Sequence, residues 1–490
     1  MKTSLWYPLL LCFLLNFQDV NAQKKYNVLF IAVDDMSTAI QAYGNSQAPM
    51  PNFQRLMQHG VLFRTAYCQY SMCNPSRTSV LSGKRPDETG VFQNGQSMRT
   101  KLGSNYRFLP EYFHDNGYRT ESYGKITCGH EEEISWDYVY PEKGHALHEG
   151  GNPLWWIDTA DKNEKSTIYG EWTDALIERL KKPLETPYFY AIGFSSHNPN
   201  TPTIHSWDRT GNDTYKELLP VDKNGTLTDV KGTGSNNIIL PNTPANDLDD
   251  IPKIALKKQI EYPDDEWQKR RHAYYGEVIA ADEHIGEIVD ELDKLNAWDN
   301  TVIVFWSDHG VHLGEHKGLW LKKTLFEECN RVPFLICAPG KKTNVISDDL
   351  VELVDIYATL ADLCGLPVPS GMEGTSLVPV LENPNVSWKK AIFSQVDRHY
   401  HHSTYMGRAV RSDHYHYNSW DGQGEELYDI INDPYEYTNL ANDPGHADAL
   451  KHMRKLLAGG WQNALPVFFT KNTLHPDDNS RKYFVKASGK

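Results

Sequence analysis

Three features of the sequence predict an α/β fold. Nearly continuous apolar runs at Tyr26–Val33, Pro187–Phe194 and Thr301–Trp306 have the composition of parallel strands buried on both faces. Helical patterns lie between them, the longest over Asp265–Leu295, where Val278, Ile279, Ile285, Ile288, Val289, Leu292 and Leu295 keep one covered face. After about residue 375 the pattern changes to short strand-like segments at Ala391–Gln395, Gly407–Arg411 and Tyr415–Trp420, continued by Glu426–Ile430. The expected units are residues 1–22, 23–375 and 376–490.

The first unit reads as a signal peptide. Lys2 precedes an apolar run from Leu5 to Leu15, and Val20-Asn21-Ala22 offers a small-residue cleavage site, so the mature chain begins near Gln23. The run is too short to span a bilayer. Leu9-Leu10-Leu11-Cys12 is a poor lipoprotein signal, because large leucines precede the cysteine. With no other long apolar segment, the expectation is an exported protein, periplasmic or secreted, without a membrane span. A composition of 40% hydrophobic and 23% charged residues over 490 positions supports a large core in two unequal units. A formal net charge of −15 argues against a nucleic-acid surface.

In chain order, the first strand ends in Asp34-Asp35, a carboxylate pair that repels itself unless a cation, most naturally a divalent metal, sits between them. A solvated loop entry is the plainer reading of that pair. A short helix is expected within Pro51–Phe63, with Phe53, Leu56 and Met57 on one face and Gly60 as its stop. Next comes Cys73-Asn74-Pro75-Ser76-Arg77. Pro75 suits the first position of a helix, which sets Cys73 just ahead of a helix N-terminus, with free N–H groups and partial positive charge. By itself the pentapeptide also fits a structural cysteine before a capped helix. A helix at Leu109–His114 and a strand at Tyr118–Ser122 lead to Gly124-Lys125, with Cys128 and His130 beyond. Residues 131–186 are read as substrate-facing loops, and residues 200–262, rich in Thr, Asn, Asp, Gly and Pro, as a long surface insertion over the pocket.

His197 follows the second apolar strand, where an imidazole suits proton donation or simply ties down a loop. Ser307-Asp308-His309-Gly310 follows the third, with a carboxylate and an imidazole able to complete a cation site. Leu319-Trp320-Leu321-Lys322-Lys323, a strand at Arg331–Ile336 and an amphipathic helix over Val351–Cys364 complete the large unit. His399-Tyr400-His401-His402 lacks cysteine or carboxylate partners at metal-site spacing and reads as a solvated loop at the pocket mouth.

Taken together, these motifs resemble the type I sulfatases of the alkaline-phosphatase superfamily, most nearly the iduronate-2-sulfatase and choline-sulfatase branch. The resemblance runs from about Tyr26 to Leu440 and includes Lys84-Arg85-Pro86 after the Cys-x-Pro-x-Arg motif, as well as Leu427-Tyr428-Asp429 and Asp433-Pro434 near the end. It implies a large, mostly parallel mixed sheet sandwiched by helices, with a C-terminal α+β subdomain made of an antiparallel sheet and a helix over Ala447–Ala458. It further implies that a formylglycine-generating maturation enzyme converts Cys73 to formylglycine (3-oxoalanine), whose hydrate is the nucleophile. Asp34, Asp35, Asp308, His309 and the oxygen of modified Cys73 then hold a divalent ion, and that oxygen-rich set suits Ca2+.

By the same resemblance, Arg77 supports the nucleophile, Lys125 and Lys322 contact sulfate, and His197 protonates the leaving oxygen. Lys323 is the alternative to Lys322 by one residue. A histidine is expected where Cys128 stands, so either His130 fills that role or the role is absent. His309 or His130 is the candidate base for the nucleophile's second proton. Cys12 and Cys73 aside, the cysteines are Cys68, Cys128, Cys329, Cys337 and Cys364, an odd and scattered set that implies no disulfide framework. The expected substrate is a sulfated oligo- or polysaccharide attacked from a chain end, such as a uronate 2-O-sulfate. Choline, alkyl or aryl sulfates and phosphonate or phosphate monoesters are the other reactions this scaffold hosts. An unmodified Cys73 leaves a sulfoglycan-binding protein.

Overall fold

The computed structural model describes residues 25–140, 168–194, 238–256, 259 and 261–466. An eight-stranded sheet is built from β1 (Asn27–Val33), β2 (Val61–Phe63), β3 (Arg119–Gly124), β4 (Tyr138–Val139), β5 (Tyr188–Phe194), β6 (Thr301–Ser307), β7 (Phe334–Cys337) and β8 (Val345–Ser347), in the order β8-β2-β7-β6-β1-β5-β3-β4. Only β7 runs against its neighbours, so the three predicted strands β1, β5 and β6 are adjacent and parallel. Their carboxyl ends therefore share one edge.

The pleat divides each strand between two cores. Leu29, Ile31 and Val33 pack with Phe53 and Leu56 of helix α1 (Pro51–Met57), Trp172 and Leu176 of α4 (Ile168–Leu180), and Ile285 and Leu292 of α5 (Asp264–Lys294). Val28, Phe30 and Ala32 pack with Val80 and Leu81 of α2 (Cys73–Ser82), Phe113 of α3 (Leu109–Asp115), and Ile356 and Leu360 of α6 (Asp355–Leu363). Helices thus cover both faces, as expected. Trp172 belongs to this packing and is 1% exposed, so it lines no substrate loop.

Several boundaries differ from expectation for identifiable reasons. Helix α2 starts at Cys73, with Met72 as its extended cap (φ −156°, ψ 144°), and Pro75 is its third residue. Proline is tolerated there because first-turn N–H groups have no intrahelical acceptor. Helix α1 stops at Met57, short of Gly60. A Cβ on Gly60 would lie 2.3 Å from the Ile336 carbonyl oxygen, so that glycine serves a close strand approach. The predicted helix over Val351–Cys364 is shorter: Val351–Glu352 pairs with Ala66–Tyr67, and α6 begins only at Asp355, whose carboxylate accepts the Glu352 N–H at 2.9 Å.

The C-terminal sheet is an antiparallel meander of β9 (Ile392–Tyr400), β10 (Ser403–Arg411), β11 (Tyr415–Trp420) and β12 (Glu425–Asp429). One face packs Val410, Tyr417 and Leu427 on Leu450 and Met453 of α7 (Ala447–Gly459). The opposite face packs Val396, Trp420 and Tyr428 with Tyr70, Leu319, Phe326, Ile251 and Ile254. The end of the predicted surface insertion is therefore part of a core. His401 and His402, at φ 45° and 66°, form the two-residue turn between β9 and β10 and are exposed. At the other end of β9, the Gln395 N–H donates to Gln69 O at 3.0 Å, and a bridge joins Gln395 to Tyr70, close before Cys73. Among the described residues no helix is long and apolar enough to cross a membrane.

Candidate active site

Three strand ends and one helix start meet at the carboxyl edge of the sheet. β1 delivers Asp34 and Asp35, β6 delivers Asp308 and His309, β3 delivers Lys125, and α2 delivers Cys73 and Arg77. Lys322 enters from the loop after the short Trp320–Leu321 strand. His197 lies beyond β5 and outside the described residues.

Asp34, Asp35, Asp308, His309 and Arg77 are all 0% exposed, and Cys73 is 2% exposed. Arg77 Nε donates to Asp308 Oδ2 at 2.8 Å and its Nη2 to Asp34 Oδ1 at 3.1 Å, while Nη1 donates to the carbonyls of Lys125 and Ile126. The guanidinium thus ties two strand ends and the Lys125 loop to α2. Lys125 Nζ lies 2.7 Å from Asp34 Oδ2. Lys322 Nζ lies 2.7 Å from Asp35 Oδ1 and 2.9 Å from Cys73 Sγ. His309 donates from Nδ1 to Gly310 O at 3.0 Å, which turns Nε2 towards Asp35 Oδ1 at 3.1 Å and Cys73 Sγ at 3.3 Å.

Asp35 adopts a left-handed backbone, φ 55°, that a non-glycine residue holds only under constraint. Its carbonyl accepts from Tyr274 Oη at 3.1 Å, and its N–H donates to Asp308 Oδ1 at 3.1 Å. Tyr274, on the long helix α5, carries no sequence signal that sets it apart from a core tyrosine.

Like charges about 4 Å apart repel by about 4 kcal/mol at an effective dielectric near 20. Burial, with the neighbouring Cys73, pushes Asp34 well above the ordinary carboxylate range, and burial likewise raises Asp35. At Asp308 burial opposes ionisation, but Arg77 and His309 hold that carboxyl well below its ordinary value. Burial disfavours charge on His309, yet Asp308 and Asp35 raise it to about 9. A hydrogen bond from Cys128 pulls the Cys73 thiol well below its ordinary value against the cost of burial, and Lys125, Lys322 and His309 add to the pull.

The residues fit a divalent cation. Ligand atoms of Asp35, Cys73 and His309, and of Asp34, Cys73 and Asp308, form two sets whose members lie within 4.8 Å of one another. Asp35 Oδ2 is buried and has no hydrogen-bond partner among the described residues, in a site where most other polar atoms are engaged. The two lysines supply positive charge to Asp34 and Asp35, the oxygens a hard cation would take.

Three expectations at the rim are placed by this geometry. Lys322, not Lys323, reaches Cys73; Lys323 Nζ instead lies 3.3 Å from Gln93 Oε1 and 3.7 Å from Asp397 Oδ1. Cys128 interacts with the Cys73 side chain. The His130 ring is held by Asn94 O at 2.8 Å and Glu133 Oε1 at 3.1 Å, because the glycine turn at Gly129 carries it towards the 94–97 loop. Asn74, which carried no signal in the sequence, anchors that same loop through Gln93 O, Asn94 O and Gln96 O.

Comparison with known proteins agrees with this arrangement. The chain matches the Sulfatase family profile over residues 26–366 and the profile for the N-sulphoglucosamine sulphohydrolase C-terminal region over residues 314–462. It is 28% identical to mouse (Mus musculus) iduronate 2-sulfatase, over 89% of this chain and 94% of that protein. It is 27% identical to a Delta 4,5-hexuronate-2-O-sulfatase of Bacteroides thetaiotaomicron, over 89% of each. A solved 2-O GAG sulfatase superposes with a TM-score of 0.70 at 25% identity, covering 89% of this chain and 92% of its own. The family implies a formylglycine and a divalent metal in general terms, and the buried carboxylates around Cys73 suit both. With its catalytic motifs in order along 26–366 and its fold shared, the chain belongs to the sulfatase family, as a type I sulfatase of the iduronate-2-sulfatase branch, and is a sulfuric ester hydrolase.

Proposed function

We propose that the protein is exported, with residues 1–22 removed, and hydrolyses sulfate from a sulfated uronate at the end of an oligo- or polysaccharide chain. The observation that carries this reading is the convergence of Asp34, Asp35, Asp308, His309, Arg77, Lys125 and Lys322 on Cys73. Cys73, matured to formylglycine, would supply the nucleophile; Asp34, Asp35, Asp308 and His309 would hold a Ca2+ ion, which would supply Lewis acidity.

This chain's own residues do the rest. Arg77 spends its donors on Asp34, Asp308 and two carbonyls, so it orients the carboxylates and fixes α2 against the Lys125 loop. Lys125 and Lys322, 4.0 Å and 2.9 Å from Cys73 Sγ, hold the oxygens of the sulfate. With a cation held by Asp34 and Asp35, the Lys125 and Lys322 ammonium groups, each 2.7 Å from one of those carboxylates, would be free to face sulfate. His197 donates the proton to the leaving sugar oxygen. His309 Nε2, 3.3 Å from Cys73 Sγ, faces the nucleophile and is the nitrogen that a cation would take. The 2-O-uronate choice rests on the relatives that act on such sulfates by name.

Sulfate release from 2-O-sulfated uronate disaccharides, 6-O-sulfated glucosamine, choline sulfate and 4-nitrophenyl sulfate tests the substrate class. The uronate substrates are expected to have the highest kcat/KM. A lead of about tenfold or more for choline sulfate or the aryl ester, on the order of 1.4 kcal/mol of transition-state preference, would sink the carbohydrate reading. Mass spectrometry of the Cys73 peptide reports the formylglycine directly, because it is lighter than cysteine.

A further inference from the structure

We propose that Lys323 reads the carboxylate of the substrate's uronate ring, making it the residue that separates sulfated uronates from sulfated neutral sugars. The inference rests on the sulfated-uronate reading above and names the group that enforces it.

Lys322 and Lys323 are consecutive, but their side chains do different things. Lys322 Nζ is taken by Asp35 at 2.7 Å and by Cys73 at 2.9 Å. Among the described residues, Lys323 Nζ has only long polar partners, an amide oxygen of Gln93 at 3.3 Å and Asp397 Oδ1 at 3.7 Å. Asp397 Oδ1 is itself bound at 2.6 Å by Tyr70 Oη, and the other Asp397 oxygen takes the Gln93 amide, so neither is aimed at the lysine alone. An ammonium group with three donors and no short acceptor, 28% exposed, is suited to an anionic ligand.

The placement is built. The Lys323 N–H donates to Ser71 O at 3.2 Å, two residues before the nucleophile. Gln93, which Lys323 touches, is held through its carbonyl by Asn74, the residue after the nucleophile, at 3.1 Å. The backbone is turned to achieve this: Leu321 at φ 68° and Lys323 at φ 74° flank Lys322 in left-handed conformations that non-glycine residues adopt only under constraint. The Arg398 guanidinium on β9 donates to the Lys323 carbonyl and supports that conformation from the C-terminal sheet. Strain of this kind persists where the surroundings over-determine it, and here it aims two successive lysines from one loop, one at the nucleophile and one at its rim. A uronate 2-sulfate presents two anions from one ring, and two lysines at different depths match that pattern.

The test is a cycle between residue and substrate. kcat/KM is measured for wild type, Lys323→Gln, Lys323→Ala and Lys323→Arg on a 2-O-sulfated uronate disaccharide and on its carboxyl-reduced counterpart, which keeps the sulfate. The expected result is a loss in Lys323→Gln and Lys323→Ala that is at least about tenfold larger on the carboxylate substrate than on the reduced one, carried mainly in KM, with Lys323→Arg recovering part of it. Equal losses on both substrates, or no loss on either, overturn the assignment, since a lysine that only ties Gln93 to Asp397 cannot sense the substrate's carboxylate. Wild-type enzyme that cleaves 6-O-sulfated glucosamine but neither uronate substrate overturns the substrate reading itself, and this assignment with it. Thermal unfolding of each variant reports whether it folds.

Discussion

Two of the molecule's clusters of buried carboxylates are partnered differently. Where the C-terminal sheet meets the large unit, Glu352 and Asp355 face Arg85 and Lys389. Arg85 makes a fork to both Glu352 oxygens at 2.8 Å, and Lys389 Nζ lies 2.8 Å from Glu352 and 2.7 Å from both Asp355 oxygens. The N–H groups of Phe393, Thr375 and Glu352 complete the set, so each of the four oxygens has at least two donors. Burial opposes ionisation of Glu352, but Arg85 and Lys389 bring it down to about 2, while at Asp355 burial outweighs Lys389 and raises the carboxyl.

Around Cys73, three carboxylates face Arg77, Lys125 and Lys322, but Asp35 Oδ2 has no partner among the described residues. Among those residues one cluster is fully partnered as protein and the other is not. Buried charge by itself therefore does not mark function. An unfinished set of donors, held under backbone strain at a strand end, does.

The comparison breaks first at the nucleophile. Cys73→Ala is expected to lower sulfate release more than about 10³-fold while thermal unfolding stays near wild type, because the chemistry and not the core needs that side chain. Release comparable with wild type would end the sulfatase assignment of this site. In the complete cluster the order of effects reverses. Lys389→Met strips the partner from two buried carboxylates and is expected to destabilise the fold by about 3–5 kcal/mol, read as a fall in the denaturant midpoint, with kcat per folded molecule unchanged.

Asp35→Asn tests the unfinished cluster directly. It should cut kcat/KM by about 100-fold, roughly 2.7 kcal/mol, yet leave metal-free stability equal or higher, since burial, despite Lys322 and His309, already disfavours the charge that is removed. A loss of metal-free stability as large as that of Lys389→Met would mean that the two clusters do not differ as described. Ca2+ added to metal-free protein at a hundredfold its dissociation constant should stabilise by about 2.7 kcal/mol. Differential scanning calorimetry should show that shift in Glu352→Gln and lose it in Asp35→Asn. A shift that survives in Asp35→Asn places the ion elsewhere. Smallest in expectation, Lys125→Ala and Lys322→Ala should each reduce kcat/KM at least about tenfold, on the order of 1.4 kcal/mol. Unchanged kinetics for Lys322→Ala would move the sulfate contact off that residue.

What the sequence determined by itself is the rim. Strands buried on both faces must be written as unbroken apolar runs, and parallel strands must end on one edge, so the polar residues that stop Tyr26–Val33 and Thr301–Trp306 were bound to meet. Asp34, Asp35, Asp308 and His309 were set on one edge for that reason, whereas the roles expected of them, and of Lys125, Cys73 and Arg77, came from the resemblance of the motifs to a family. Tertiary structure decided what depends on chain direction over one or two residues. The left-handed turns at Leu321 and Lys323 send Lys322 to the nucleophile and Lys323 to the rim, and the turn at Gly129 carries His130 away while Cys128 stays beside Cys73. The break of Val351–Cys364 into a strand and a helix, and the His401-His402 hairpin, are of the same kind. Periodicity reports which side chains are buried, whereas a single φ angle, set by partners distant in the sequence, decides where an exposed or half-buried one points.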